Sequence, residues 1–201
     1  MQIYNKKAMR KKTKQELRNI LKSKNLERGK TSANIKKIPT YKKAHTIFLF
    51  LSLKDEIDTK SLLEQALKDG KKIAIPKIIS AKTSEMSFFY LDKLSPIDMQ
   101  IEKGAYGIYE PKTSLEKAKQ EELTKNDLVF FPGLAFSKDG KRLGRGKGFY
   151  DRYFFDLWKN PNRPQFIGLC YENQIVNTIP TDSYDISMDA LLTEKKYYIC
   201  R

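Results

Sequence analysis

Five of the ten glycines lie between positions 133 and 148, with Arg142, Arg145 and Lys147 among them. The text Gly144-Arg145-Gly146-Lys147-Gly148-Phe149-Tyr150-Asp151 follows the apolar run Leu128–Phe131 after a short interval. Glycines let backbone N–H groups approach a phosphate closely, and a helix starting just behind them adds its dipole. The two arginines and the lysine add full charges, and arginine can grip a phosphate through two parallel N–H bonds. Phosphate binding is the chemistry these residue types suit. The spacing is not that of a Walker A loop, because Gly148 follows Lys147 and no glycine stands five residues before Gly146. Nor is it G-x-G-x-x-G. A flexible basic loop and an arginine–glycine contact to nucleic acid are the alternatives. Asp151 falls within the first turn of the next helix. A carboxylate beside phosphates is a candidate Mg²⁺ ligand. It is also a residue type that a helix N-terminus favours, and position alone supports that reading better.

The elements that must position these groups read as α/β. His45–Ser52, Lys72–Pro76, Met86–Leu91, Asp127–Phe131, Phe166–Cys170 and Ala190–Thr193 are apolar, β-branched and aromatic runs of strand length. Thr59–Lys68 carries Leu62, Leu63, Ala66 and Leu67 at helical spacing, with Thr59 as candidate N-cap and Gly70 as C-cap. Strand, helix, strand in that order predicts parallel pairing with a right-handed crossover. Gly148–Lys159 predicts a helix whose apolar face is Tyr150, Tyr153, Phe154, Leu157 and Trp158. Residues 10–28 predict another, with Leu17, Ile20 and Leu21 as a narrow stripe and Gly29 as its stop, followed by a short helix Ser32–Ile38. Residues 94–110 read as irregular and 112–123 as a loop or short helix. The expected architecture is one α/β domain over 1–201, a three-layer αβα sandwich with a mostly parallel sheet. Residues 1–9 are expected to be a disordered extension. In such sheets ligands bind outside the carboxyl ends of the strands, where the glycine-rich loop falls.

Composition narrows the function classes. The net charge is +15, but residues 1–43 carry +13 and the other 158 only +2. A basic segment of this kind points to a polyanion without saying which. Most of its lysines, Lys6, Lys7, Lys11, Lys12, Lys36, Lys37, Lys42 and Lys43 included, are expected to be solvated. A chain that is 40% hydrophobic and 11% aromatic is not disordered. No apolar stretch approaches the ~20 residues of a membrane span, and no secretory signal is expected. Two cysteines make no disulfide framework or zinc pattern, and one histidine rules out a multi-histidine metal site. A reducing, cytoplasmic setting fits.

The run Phe130–Tyr153 resembles the signature of the 5-formyltetrahydrofolate cyclo-ligase family. The resemblance extends along nearly the whole chain. Lys14-x-x-Leu17-Arg18 resembles the family's basic N-terminal helix, Phe48–Thr59 its first strand and Glu-Ile-Asp-Thr element, and Ile73–Pro76 its second strand. Gly107–Pro111 resembles its G-I-x-E-P turn and Ile179–Asp189 its closing segment. The resemblance implies a NagB/RpiA/CoA-transferase-like fold and conversion of 5-formyltetrahydrofolate to 5,10-methenyltetrahydrofolate with ATP and Mg²⁺, releasing ADP and phosphate. It places Lys14, Arg18, Arg142, Gly144, Arg145, Gly146, Lys147, Gly148, Phe149 and Tyr150 at ATP. Leu53, Asp58, Tyr106, Arg145 and Phe149 fall at the folate, and Asp151 and Asp185 at the metal. Lys147, Arg145 and Tyr150 are the expected catalytic residues.

The implied chemistry suits a chain with almost no histidine. Phosphoryl transfer to the formyl oxygen makes a good leaving group, N10 attacks the activated carbon, and phosphate departs. Such transfer asks mainly for positioning and charge neutralisation. The sequence departs from the family pattern at Ser137, where an acid is frequent, at Phe149, where tyrosine is frequent, at Leu53 in place of methionine, and at Tyr106 in place of a tryptophan. These departures bear on the folate side more than the ATP side. The expected partners are ATP and 5-formyltetrahydrofolate, with or without a polyglutamate tail. Neither nucleic acid nor membrane is expected, and the chain is read as a monomer.

Overall fold

The computed structural model describes residues 6–23, 34–104 and 107–201. Strands β1 (Thr46–Phe48), β2 (Lys72–Ser80), β3 (Glu85–Tyr90), β6 (Lys117–Ala118), β7 (Leu128–Phe131), β10 (Gln165–Leu169), β12 (Ala190–Leu192) and β13 (Tyr197–Ile199) form one sheet of eight. Its order is β13-β12-β10-β7-β1-β2-β3-β6. The five central strands from β12 to β2 pair in parallel, and antiparallel strands close both edges. The mostly parallel α/β sheet is therefore present.

Alternation along the strands builds two cores. Ile47, Leu49, Ile73, Ile75, Leu128, Phe130 and Ile167 point to one face, where they meet Leu62, Leu63 and Ala66 of a helix at Lys60–Lys68. Phe48, Ala74, Val129, Phe131 and Phe166 point to the other, against Phe154 and Leu157 of a helix at Phe149–Trp158. With α1 at Lys6–Ser23 and one turn of helix at Ile97–Gln100, these two are α2 and α4, and the turn is α3. Apolar residues on both strand faces are what a sheet covered on both sides requires, which is why these strands read as continuous apolar runs.

Smaller pieces complete the frame of the site. β8 (Ala135–Ser137), β9 (Arg142–Leu143) and β11 (Ile175–Val176) form a three-stranded sheet at the base of the glycine-rich loop. β4 (Ile101–Lys103) and β5 (Tyr109–Pro111) form a hairpin inside the stretch expected to be irregular. Both pairings are too short to show a hydrophobic period. The strand expected over 45–52 ends at Phe48, because the chain there leaves the ladder to shape the site. The strand expected over 72–76 runs on to Ser80, because antiparallel β3 extends its pairing. The loop or helix expected over 112–123 divides into β6 and a short 3₁₀ turn at Gln120–Glu122.

α1 begins at Lys6 rather than at residue 10, so residues 6–9 are helical. Gly29 and the start of the helix expected from Ser32 lie outside the described residues. Thr59 does not cap α2 with its side chain. Its hydroxyl accepts Ser52 N–H at 3.0 Å, tying the helix start to the segment that leaves β1.

Candidate active site

A cavity of about 620 Å³ opens at the carboxyl ends of β7, β1 and β2. Phe50, Leu51 and Leu53, from the segment after β1, give it an apolar wall, which Pro76 and Ile78 of β2 and Met86 of β3 continue. The opposite wall is the glycine-rich loop, Gly144 through Gly148, and the first turn of α4 with Phe149, Tyr150 and Asp151. Of the expected site residues, Arg142, Gly144, Arg145, Gly146, Lys147, Gly148, Phe149, Tyr150, Asp151, Asp185 and Leu53 all line this one space.

Four expected residues stand elsewhere or are not described. Asp58 is not on the wall: its Oδ1 accepts the Lys60 N–H at 3.1 Å, at the N-terminus of α2. Lys14 lies one helical turn beyond the wall on α1, half-buried. The side chain of Arg18, and Tyr106, lie outside the described residues.

Lys6 and Arg10, which precede Lys14 at four-residue steps, do line the cavity. Lys6, expected to be solvated, has a side chain only 18% exposed. Its ammonium sits 2.6 Å from Asp182 and also contacts Asp185. These carboxylates raise its pKa although desolvation opposes them. Arg10 Nε donates to Gly144 O at 3.0 Å, so α1 is pinned to the loop. The signal for both was the 6, 10, 14 spacing on one helix face.

Arg145 is not free to face the cavity with its full charge. Its Nη2 donates to Asp55 Oδ1 at 2.7 Å and to Glu56 Oε1 at 3.0 Å, and Nε adds a bond to Glu56 at 3.1 Å. Glu56 is buried, its side chain 7% exposed. Desolvation raises its carboxyl pKa, while Arg145 pulls the other way. Asp55 and Glu56 were missed because nothing local marks them as partners of a residue ninety positions away. Burial likewise pushes the Tyr150 hydroxyl well above the ordinary phenol, with the Glu56 charge adding to the shift. That hydroxyl is a hydrogen-bond donor, not a base.

The acidic side of the cavity holds Asp151, Asp182 and Asp185. Asp151 Oδ1 is 2.6 Å from Arg142 Nη2 and accepts the Ile186 N–H at 3.4 Å, which brings the two acidic segments together. These are hard oxygen donors of the kind Mg²⁺ takes. Each now faces a side-chain cation. Among the described residues no group of three or more His, Cys, Asp or Glu side chains could by itself hold a metal. The donor set therefore fits an ion that completes its shell with phosphate oxygens and water, not a caged structural metal.

The sequence profile of the 5-formyltetrahydrofolate cyclo-ligase family matches residues 2–194. The chain belongs to the 5-formyltetrahydrofolate cyclo-ligase family. A mouse 5-formyltetrahydrofolate cyclo-ligase is 33% identical over 157 residues, covering 77% of this chain and 75% of the mouse protein. The enzyme of that name from Escherichia coli K12 is 32% identical over 155 residues, 77% of this chain and 81% of its own. The NMR structure of Aquifex aeolicus 5,10-methenyltetrahydrofolate synthetase superposes with a TM-score of 0.75 at 31% identity, covering 98% of this chain and 93% of that one.

This cyclo-ligase family member is an enzyme of folate one-carbon chemistry, and its fold is that of the synthetases it resembles. Among the described residues no helix is long and apolar enough to cross a membrane. The departure at Ser137 has a local partner: its hydroxyl donates to Asp139 in the β8–β9 turn, where a second acid would meet an acid.

Proposed function

We propose that closure of 5-formyltetrahydrofolate to 5,10-methenyltetrahydrofolate runs in the 620 Å³ cavity and is driven by ATP, with release of ADP and phosphate. The observation that carries this reading is the division of one cavity into an apolar wall and a glycine-rich cationic wall. A pterin suits the first and a triphosphate the second. The volume lies within the usual range for a small-molecule site.

The formyl oxygen attacks the γ-phosphorus, an O–P bond forms, and the bond to the ADP oxygen breaks. N10 then attacks the activated formyl carbon. It loses its proton as phosphate leaves with the formyl oxygen. Loop N–H groups from Gly144 to Gly148 cradle the phosphates, and Lys147 on the rim places a charge where negative charge moves during transfer. Phe149 and Leu53 lie where the folate ring packs, and Tyr150 donates its protonated hydroxyl. Asp151 and Asp185 are the residues that would hold Mg²⁺. When bound, that ion neutralises phosphate charge and orients the transferred group. Lys14, Arg18, Asp58 and Tyr106 remain candidates for contacts made in the liganded enzyme. A cytoplasmic monomer acting on folates with or without polyglutamate tails is the setting we infer.

The test mixes the protein with 5-formyltetrahydrofolate and MgATP and follows the near-ultraviolet absorbance of the methenyl product. Omitting ATP or Mg²⁺ should abolish the rise. Product formed equally well without ATP would refute the reading.

A further inference from the structure

The hairpin of β4 and β5 pairs Ile101 with Pro111, Glu102 with Glu110 and Lys103 with Tyr109, which is too little to stand alone. Its middle pair sets two carboxylates directly opposite each other, and like charges so placed oppose pairing. Lys77 of β2 answers both. Its ammonium lies 2.8 Å from Glu102 Oε1 and 3.9 Å from Glu110 Oε2, and donates to Pro111 O at 3.0 Å. Glu110 is buried, and its Oε1 accepts the Ile78 N–H at 3.3 Å. Gly104 closes over the same carboxylate: a Cβ there would fall 2.1 Å from Oε2. The hairpin is thereby docked on β2 at Ile78. From Ile78, Ile108 and Tyr109 carry the apolar wall of the cavity onward. Tyr109 is 58% exposed, an aromatic surface left uncovered beside the cavity.

We infer that Lys77 and Glu110 are positioning residues for the folate: they hold the hairpin on β2 so that Ile108 and Tyr109 complete the wall against which the folate's rings pack. This rests on the reading that the apolar side of the cavity takes 5-formyltetrahydrofolate. The contacts above run between β2 and the hairpin, not to the glycine-rich loop, so their loss falls on folate and not on ATP. A wall that packs equally on substrate and transition state sets KM and leaves kcat alone.

The test compares E110A, G104A and E110A/G104A with the parent chain, by steady-state kinetics and by calorimetric binding of 5-formyltetrahydrofolate without ATP. E110A removes the acceptor for Ile78 N–H and the charge beside Lys77. G104A keeps every charge but drives a methyl group into the Glu110 carboxylate, which its own bonds hold in place. Expected in each single variant are a KM and a Kd for 5-formyltetrahydrofolate raised about tenfold, with kcat and the KM for ATP within about twofold of the parent. E110A makes room for the Gly104 methyl, so the double variant should be no worse than E110A alone. Should E110A fail to fold, G104A decides. An unchanged folate KM in a folded variant, equal rises for both substrates, or losses that multiply in the double variant would overturn the inference. A parent chain that binds no 5-formyltetrahydrofolate would overturn the reading of the cavity as well, an outcome distinct from parent and variants that bind it equally.

Discussion

The guanidinium of Arg142 and the carboxylate of Asp151 form one unit between β9 and α4, with Nη2 2.6 Å from Oδ1. Nη1 of the same arginine donates to Pro132 O at 3.1 Å, so the end of β7 is joined as well. The arginine side chain is only 5% exposed. The glycine-rich loop thus leaves and re-enters the fold through a fixed pair, and the middle of the loop is what stands over the cavity.

Arg142→Met should destabilise the protein measurably, because it leaves Asp151 without its cation in a partly buried site. Breaking a buried pair costs several kcal/mol; with Asp151 21% exposed, about 2 kcal/mol is expected. Urea unfolding followed by circular dichroism would read it. A midpoint equal to that of the parent would show that the pair is dispensable to the fold.

Lys147 behaves oppositely in this scheme. It is exposed on the cavity rim, and removing it should leave the melting temperature within a degree or two of the parent, as for a surface change. Turnover should fall by roughly 100-fold or more, as for loss of a charge that acts in the transition state. Steady-state kinetics of Lys147→Ala with saturating MgATP checks it; unchanged kcat would remove the lysine from the chemistry.

Glu56 gives the activity an acid limb. Burial raises its carboxyl pKa, so the grip on Arg145 is complete only above that raised value and is lost as pH falls through it. The limb should therefore lie above the ordinary glutamate range near 4.5. In E56Q the remaining activity should lose this limb. A kcat profile that keeps the same acid limb in E56Q would assign it to another group.

The strands that carry the cavity were legible because both their faces are buried. Phe48, Val129 and Phe131 face one core, and Ile47, Leu128 and Phe130 the other, which leaves uninterrupted apolar text. The loop was legible because glycine and cation alternate a short interval after such a strand. The partners of the loop were not. Arg145 meets acids ninety residues away, and Lys6 meets Asp182 across 176. A long-range ion pair leaves no periodic trace in either segment, and either residue alone reads as solvated surface. Asp58 shows the converse: its carboxylate lies near the right segment, but it is committed to the N-terminus of α2.

Two glycines in the same region separate fold from function. Gly140, in the turn between β8 and β9, has φ +83°, and a Cβ there would stand 2.4 Å from Met188 O. Backbone cannot yield as a side chain can, so Gly140→Ala should cost about 2–3 kcal/mol of stability. Gly146, in the middle of the loop, has φ +99°, and its Cβ would meet only the end of the Arg10 side chain at 3.3 Å. Arg10 can move aside, but the left-handed backbone remains strained and the loop must shift. Gly146→Ala should therefore keep most of its stability and lose at least about tenfold in kcat/KM for ATP. Thermal melts and initial rates on both variants would test the contrast. Unchanged kcat/KM for ATP in Gly146→Ala would mean that the loop tolerates displacement, and that its N–H groups do not form the phosphate cradle.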